Sequence, residues 1–119
     1  MYISLLHAKI HHARVTSIDI DYMGSITVDQ ALLDRAGISV YEKVMVVDVE
    51  NGARFETYTM SGEPGSGVVQ LNGAAGRLAS VGDRLIIMAF TQVELPPPQD
   101  WRPRVLILDE KNRVMQEEG

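Results

Sequence analysis

Chemistry in this chain begins at Gly24-Ser25, within Tyr22-Met23-Gly24-Ser25. A serine hydroxyl can add to the carbonyl of the residue before it, closing a five-membered ring and exchanging the amide for an ester. Glycine before the serine helps, because it has no Cβ and tolerates strained dihedrals. The fold must supply a donor for the developing oxyanion, typically worth about 3–4 kcal/mol. Loss of the serine Cα proton then expels the ester as a carboxylate, and the remaining dehydroalanine hydrolyses to a pyruvoyl cap. A ketone at that terminus could take an amine as a Schiff base and serve as an electron sink, as pyridoxal does elsewhere. Gly-Ser is also an ordinary turn dipeptide, and a second copy stands at Gly65-Ser66.

Competing chemistries are sparse. The chain has no cysteine and lacks CxxC, HExxH, phosphate-loop and GxSxG patterns, so neither a metal site nor a nucleophile elbow is expected. Its three histidines are His7, His11 and His12, and His7 and His11 share strand parity with Lys9. That spacing fits a polar strand face.

The elements that must hold Gly24-Ser25 read as short β runs separated by turns. Residues 2–11 and 14–20 read as strands, and Thr27 to Gln30 as a capping box opening a short helix that Gly37 closes. Residues 43–49 and 54–60 form a hairpin about the turn Glu50-Asn51-Gly52-Ala53. Residues 62–67 read as a loop and 68–71 as a strand. Asn72-Gly73-Ala74-Ala75-Gly76 suits a turn or a brief helical start. Residues 84–93 are the longest apolar run, Pro96-Pro97-Pro98 a stiff segment and 105–108 a last strand, with a tail from Asp109 expected to fray. Strands at this spacing with small helices predict a mainly β fold, a compact barrel.

At 119 residues the chain is expected to form a single domain, 1–119. A net charge of −5 argues against nucleic acid as a partner, since phosphate binding relies on Lys and Arg. No segment approaches the roughly 20 apolar residues of a membrane span, and the N-terminus lacks a basic region before its short apolar stretch. The expected location is the cytoplasm, with no membrane partner.

Weak signals become specific when they occur together and in order. Lys9-Ile10-His11, Asp21-Tyr22-Met23-Gly24-Ser25, Asn51-Gly52-Ala53-Arg54, Thr57-Tyr58, Glu63-Pro64-Gly65-Ser66, Leu71-Asn72-Gly73-Ala74-Ala75, Gly82-Asp83 and Trp101-Arg102-Pro103 run through the chain. With them the whole chain resembles the bacterial aspartate 1-decarboxylase family, small pyruvoyl-dependent enzymes with a double-psi β-barrel. Gly76 stands where many members carry alanine, and His12 and Ile3 where arginine is common.

The resemblance implies that the proenzyme cuts itself into a β chain, 1–24, and an α chain, 25–119, whose Ser25 becomes the pyruvoyl cofactor, with no metal and no pyridoxal phosphate. It implies L-aspartate as substrate, β-alanine and CO2 as products, and a place in pantothenate biosynthesis. Thr57 would help polarise the Gly24 carbonyl during cleavage and lie against substrate, and Tyr58 would return a proton after decarboxylation. Lys9 and Arg54 would hold substrate carboxylates. Asn72, Gly73, Ala74 and Ala75 would line the pocket, with His11 and Tyr22 nearby in unassigned duties. The chemistry agrees: a guanidinium fork suits a carboxylate, a phenol suits protonation of a basic carbon, and small residues leave backbone N–H groups open to an anion. Strand alternation nevertheless sends Arg54, Glu56 and Tyr58 to one face and Thr57 to the other. Either the strand is bulged there, or the site lies between subunits, as in the family's homotetramer. A maturation factor is a further expected partner. The rival expectation is an uncut β-barrel interaction or regulatory module without activity.

Overall fold

Apolar residues alternate along the strands, and the alternation decides which face is buried. Ala8 and Ile10, Val44 and Val46, and Leu85, Ile87 and Ala89 point inward, with half-buried or exposed residues between them. They belong to one cluster of 19 buried apolar side chains. Each large aliphatic side chain in it contributes about 1.5–3 kcal/mol by leaving water.

A computed structural model describes residues 1–119. In order it contains β1 (Tyr2–Arg14), β2 (Ser17–Asp19), β3 (Ser25–Asp29), α1 (Gln30–Ala36), β4 (Lys43–Asp48), β5 (Arg54–Gly62), β6 (Val69–Asn72), a 3-10 helix (Gly73–Leu78), β7 (Arg84–Glu94), β8 (Arg104–Leu108) and β9 (Val114–Glu118). The strands hydrogen-bond in the order β2-β6-β3-β5-β4-β7-β1-β8-β9. The pairs β1/β8, β2/β6 and β3/β5 are parallel and the others antiparallel. Helix α1 buries Leu32, Leu33 and Ala36 and packs on β1, β3, β5 and β8. A seven-residue helix is only about 10 Å long, so the sheet must curl for it to reach both ends. No helix is long and apolar enough to cross a membrane.

The mainly β class with small helices is as expected; several boundaries differ. Thr27 is not a helix cap. It lies within β3, which is paired on both sides, by β5 and by β6, so the ladder runs on through Asp29. The N-cap is Asp29, whose carboxylate accepts from Ala31 N at 2.8 Å, while Gly37 ends the helix at φ 77 as expected. The first strand runs to Arg14 and the second is only three residues long. The tail does not fray either. Asp109 accepts from the backbone of Lys111 and Arg113 in a tight turn, and β9 pairs back on β8. Within that turn Asn112 is buried, donates to Arg14 O and Gly67 O and accepts from Arg14 N. It fastens the chain end to β1 and to the loop before β6.

The β1/β7 register shifts at His7 and again at His12, whose φ is 66. These bulges keep Ala8, Ile10 and Ala13 inward and leave Lys9 and His11 outward. Gly76 has its own reason: a Cβ there would meet Ile18 Cγ2 at 2.5 Å.

Candidate active site

Ser25 opens β3 and Asn72 closes β6, and the antiparallel register sets them opposite each other. Both are buried, at 1% and 0% exposure. Asn72 Nδ2 donates to Ser25 Oγ at 2.9 Å and to Thr27 Oγ1 at 3.0 Å. Ser25 Oγ also approaches Met23 O at 3.5 Å, at the limit of a hydrogen bond. The serine oxygen is thus enclosed at the end of a strand, with one firm donor aimed at it.

Gly24 is clamped from the other side. Gly73 has φ +65, and a Cβ on it would lie 2.9 Å from Gly24 Cα and N and 3.0 Å from Tyr22 O. Only a residue without a side chain lets the start of the 3-10 helix approach this backbone so closely.

A cavity of about 420 Å³ opens beside this junction, lined by Gly24, Phe55, Thr57, Tyr58, Ala74 and Ala75 among others. Its origin lies in strand pairing. β3 joins β5 only from Thr59 onward, so the preceding stretch of β5 has no strand on that edge. The small residues Ala74 and Ala75 keep the opposite wall low. Tyr58 reaches the cavity while partly exposed, its ring 6.5 Å from that of Tyr41.

Thr57 and Tyr58 therefore both border the same opening. The β4/β5 register runs unbroken from Lys43 opposite Tyr58 to Val47 opposite Arg54, which excludes the bulge as the reason. An unpaired strand edge exposes residues of both parities to one space.

Arg54, Lys9 and His11 are not in that cavity within one chain. Arg54 is exposed at the start of β5, next to the cavity-lining Phe55 but not itself part of the lining. Lys9 lies opposite Met88, Met88 opposite Met45 and Met45 opposite Glu56. Lys9 is thus three strands from β5, about 14 Å away. His11 stacks on His12 at 3.9 Å, and its Nδ1 is buried without a partner. Burial, with His12, Lys9 and Arg84 around it, pushes the His11 imidazole below its usual range. Tyr22 is exposed and contributes its carbonyl to the Gly73 contact.

Three residues at the site escaped the sequence reading. Thr27 shares the Asn72 amide, Gln70 Nε2 donates to Asn72 Oδ1 at 2.7 Å, and Ser17 Oγ donates to Gln70 Oε1 at 2.7 Å. Their polar side chains at matching strand parity were the available signal, but it is visible only once β2, β6 and β3 are known to be neighbours.

Among known protein families, the one described as "Aspartate decarboxylase" matches residues 1–115. The chain belongs to this family. An aspartate 1-decarboxylase of Ruminiclostridium cellulolyticum is 53% identical over 114 residues, covering 96% of this chain and 89% of that one. That of Carboxydothermus hydrogenoformans is 47% identical over 115 residues (97% and 91%), and that of Lactiplantibacillus plantarum 50% over 114 (96% and 88%). Among solved structures, the rationally designed mkDPBB_sym1 protein aligns with a TM-score of 0.46 at 22% identity, covering 71% of this chain and 96% of that one.

Proposed function

We propose that this chain is a pyruvoyl-dependent enzyme that cuts itself between Gly24 and Ser25 and decarboxylates L-aspartate to β-alanine and CO2. The observation that carries the reading is the enclosed Ser25 hydroxyl, hydrogen-bonded by Asn72, joined to a Gly24 that Gly73 clamps at a cavity wall.

Cleavage begins as Ser25 Oγ adds to the Gly24 carbonyl carbon and its proton passes to the Ser25 nitrogen, so that an ester replaces the amide. Asn72 stabilises negative charge on Oγ as its proton leaves, and Thr57 at the cavity is the donor for the carbonyl oxygen. Removal of the Ser25 Cα proton breaks the Cβ–O bond, frees the Gly24 carboxylate and leaves dehydroalanine. That elimination already separates 1–24 covalently from 25–119; water then replaces the dehydroalanine nitrogen, which departs as ammonia and leaves a ketone. The surroundings fit the resulting group, since the Asn72 amide stays beside it as a donor and Ala74 and Ala75 leave room. When present, the pyruvoyl group supplies the electron sink for loss of CO2.

Other duties fall to this chain's own side chains. Tyr58 returns a proton to the substrate carbon, and Arg54 and Lys9 grip carboxylates. Lys9 and His11 can reach a Ser25 only from a neighbouring copy. The outer face of β4, β7 and β1 supports such an assembly, with half-buried Met45, Val47, Ile86 and Met88 and an exposed Phe90. A homotetramer with sites between subunits, working in the cytoplasm to supply pantothenate synthesis, completes the reading. A maturation factor would act on the uncut form.

Denaturing mass measurement of purified protein, paired with β-alanine release from aspartate, tests it. The expected result is two fragments broken after Gly24, the larger blocked at its N-terminus. An intact chain with a free serine that still turns over aspartate would overturn it.

A further inference from the structure

A line of side-chain hydrogen bonds ends on Ser25, and each link is an amide or a hydroxyl that could point either way. Ser17, Gln70 and Thr27 sit in one row across β2, β6 and β3, with Asn72 two residues beyond Gln70 on the same face. Ser17 Oγ meets Gln70 Oε1 at 2.7 Å, Gln70 Nε2 meets Asn72 Oδ1 at 2.7 Å, and Asn72 Nδ2 meets Ser25 Oγ at 2.9 Å. An amide has a donor end and an acceptor end, so the orientation of Gln70 fixes that of Asn72. Without Gln70, Asn72 could turn its oxygen toward the two hydroxyls of Ser25 and Thr27 and accept from both. Ser25 would then lack a donor when its oxygen becomes negative.

We infer that Gln70, held by Ser17, is a positioning residue for self-cleavage: it dictates that the donor end of the Asn72 amide faces Ser25. This rests on the cleavage reading above. Gln70 acts through Asn72 and touches no reacting atom.

Gln70→Glu is the informative variant. At neutral pH a carboxylate can only accept, so the Asn72 amide must reverse; once protonated, the introduced carboxyl can again donate to Asn72 Oδ1. Cleavage of Gln70→Glu is expected to run about 10–100-fold slower than wild type near neutral pH, with the loss of an oxyanion-stabilising donor as the upper bound. The ratio to wild type should recover as pH falls through the carboxylate range. Gln70→Met, which keeps the length without polarity, should show a deficit independent of pH. A Gln70→Glu deficit equal at every pH, or wild-type cleavage in both variants, overturns the inference.

A second measurement does not depend on cleavage. In Ser25→Ala protein, the Asn72 side-chain N–H protons still face Thr27, and their exchange with solvent can be followed by NMR. Adding Gln70→Met should accelerate that exchange at least about tenfold, the factor for roughly 1.4 kcal/mol of lost protection. Unchanged exchange sinks the positioning role even if Gly24-Ser25 is cut. Failure of wild-type protein to cleave, with exchange accelerated as expected, would instead count against the cleavage reading alone.

Discussion

Replacing Gly73 by alanine should damage folding and cleavage through one added methyl group. At φ +65 a non-glycine residue costs about 1–2 kcal/mol. The new Cβ would also sit 2.9 Å from Gly24 Cα and N, and neither can rotate away because both are backbone. Overpacking of this kind costs about 1–3 kcal/mol. Alanine restricts the unfolded chain and returns about 0.4–1 kcal/mol, leaving a net loss of roughly 2–4 kcal/mol. For a domain of this length that is a melting temperature lower by about 6–16 °C. The backbone that yields is the one to be cut. A displacement near 0.5 Å should slow cleavage by about tenfold, since about 1 Å of misplacement can cost 10²-fold. Calorimetry in a Ser25→Ala background at fixed protein concentration isolates stability, and intact mass against time, well below the transition, isolates cleavage. If Gly73→Ala melted within about 2 °C of the parent and cut at the parental rate, the close approach of Gly73 to Gly24 would not be what this position requires.

Tyr58→Phe should cut normally yet turn over aspartate about 10²–10⁴-fold more slowly, as for loss of a general acid; unchanged turnover removes Tyr58 as donor. Asp48 is fully buried with Oδ2 unpartnered, and burial, reinforced by neighbouring Asp83, pushes its carboxyl up. A raised acid favours the fold below its unfolded value and loses that contribution as pH rises through the folded one. Asp48→Asn should therefore stabilise the protein by about 1–2 kcal/mol near neutral pH, with the gain vanishing in acid on chemical denaturation. Asp29 accepts from the backbone N–H groups of Ala31, Gly65 and Gly67 at 2.8–2.9 Å, so Asp29→Ala should cost on the order of 3 kcal/mol by stranding three donors, and Asp29→Asn less. Hydrogen bonds from Arg84 hold Glu50 down at about 2, so that pair's contribution is present above the usual glutamate range and is lost only as pH falls through about 2. NMR titration of the Glu50 carboxyl would read this directly.

Much of the barrel was legible because period-2 patterning survives wherever one face is buried. Residues 43–49 and 84–93 announce β4 and β7, and Asn51-Gly52 announces their neighbour's hairpin, with Gly52 at φ 76. Residues 25–29 were obscured because Ser25, Thr27 and Asp29 carry local capping signals that two flanking strands override. The tail looked like a solvated charged run, and only Asn112, reaching back to Arg14 and Gly67, gives it a reason to order. At the site, Gly24, Thr57, Tyr58, Ala74 and Ala75 border one cavity, and Asn72 meets Ser25 beside it. Single-strand reasoning could not foresee why Thr57 and Tyr58 share an opening, because the cause is where β3 stops pairing with β5. Nor could it find Ser17 and Gln70, whose link to Ser25 crosses three strands.

β1 lies on the amino-terminal side of Gly24, yet it is flanked by β7 and β8 in the middle of the larger piece. A cut at that point would leave the small fragment knitted in by two ladders, free of any covalent tether. Native shape would have to come first, since only the folded chain brings Asn72 and Gly73 to the bond. Afterwards, melting would amount to dissociation, and regaining the fold would depend on dilution, as it does for two separate molecules. Such a molecule can be built once from a continuous chain but must be reassembled from two pieces ever after.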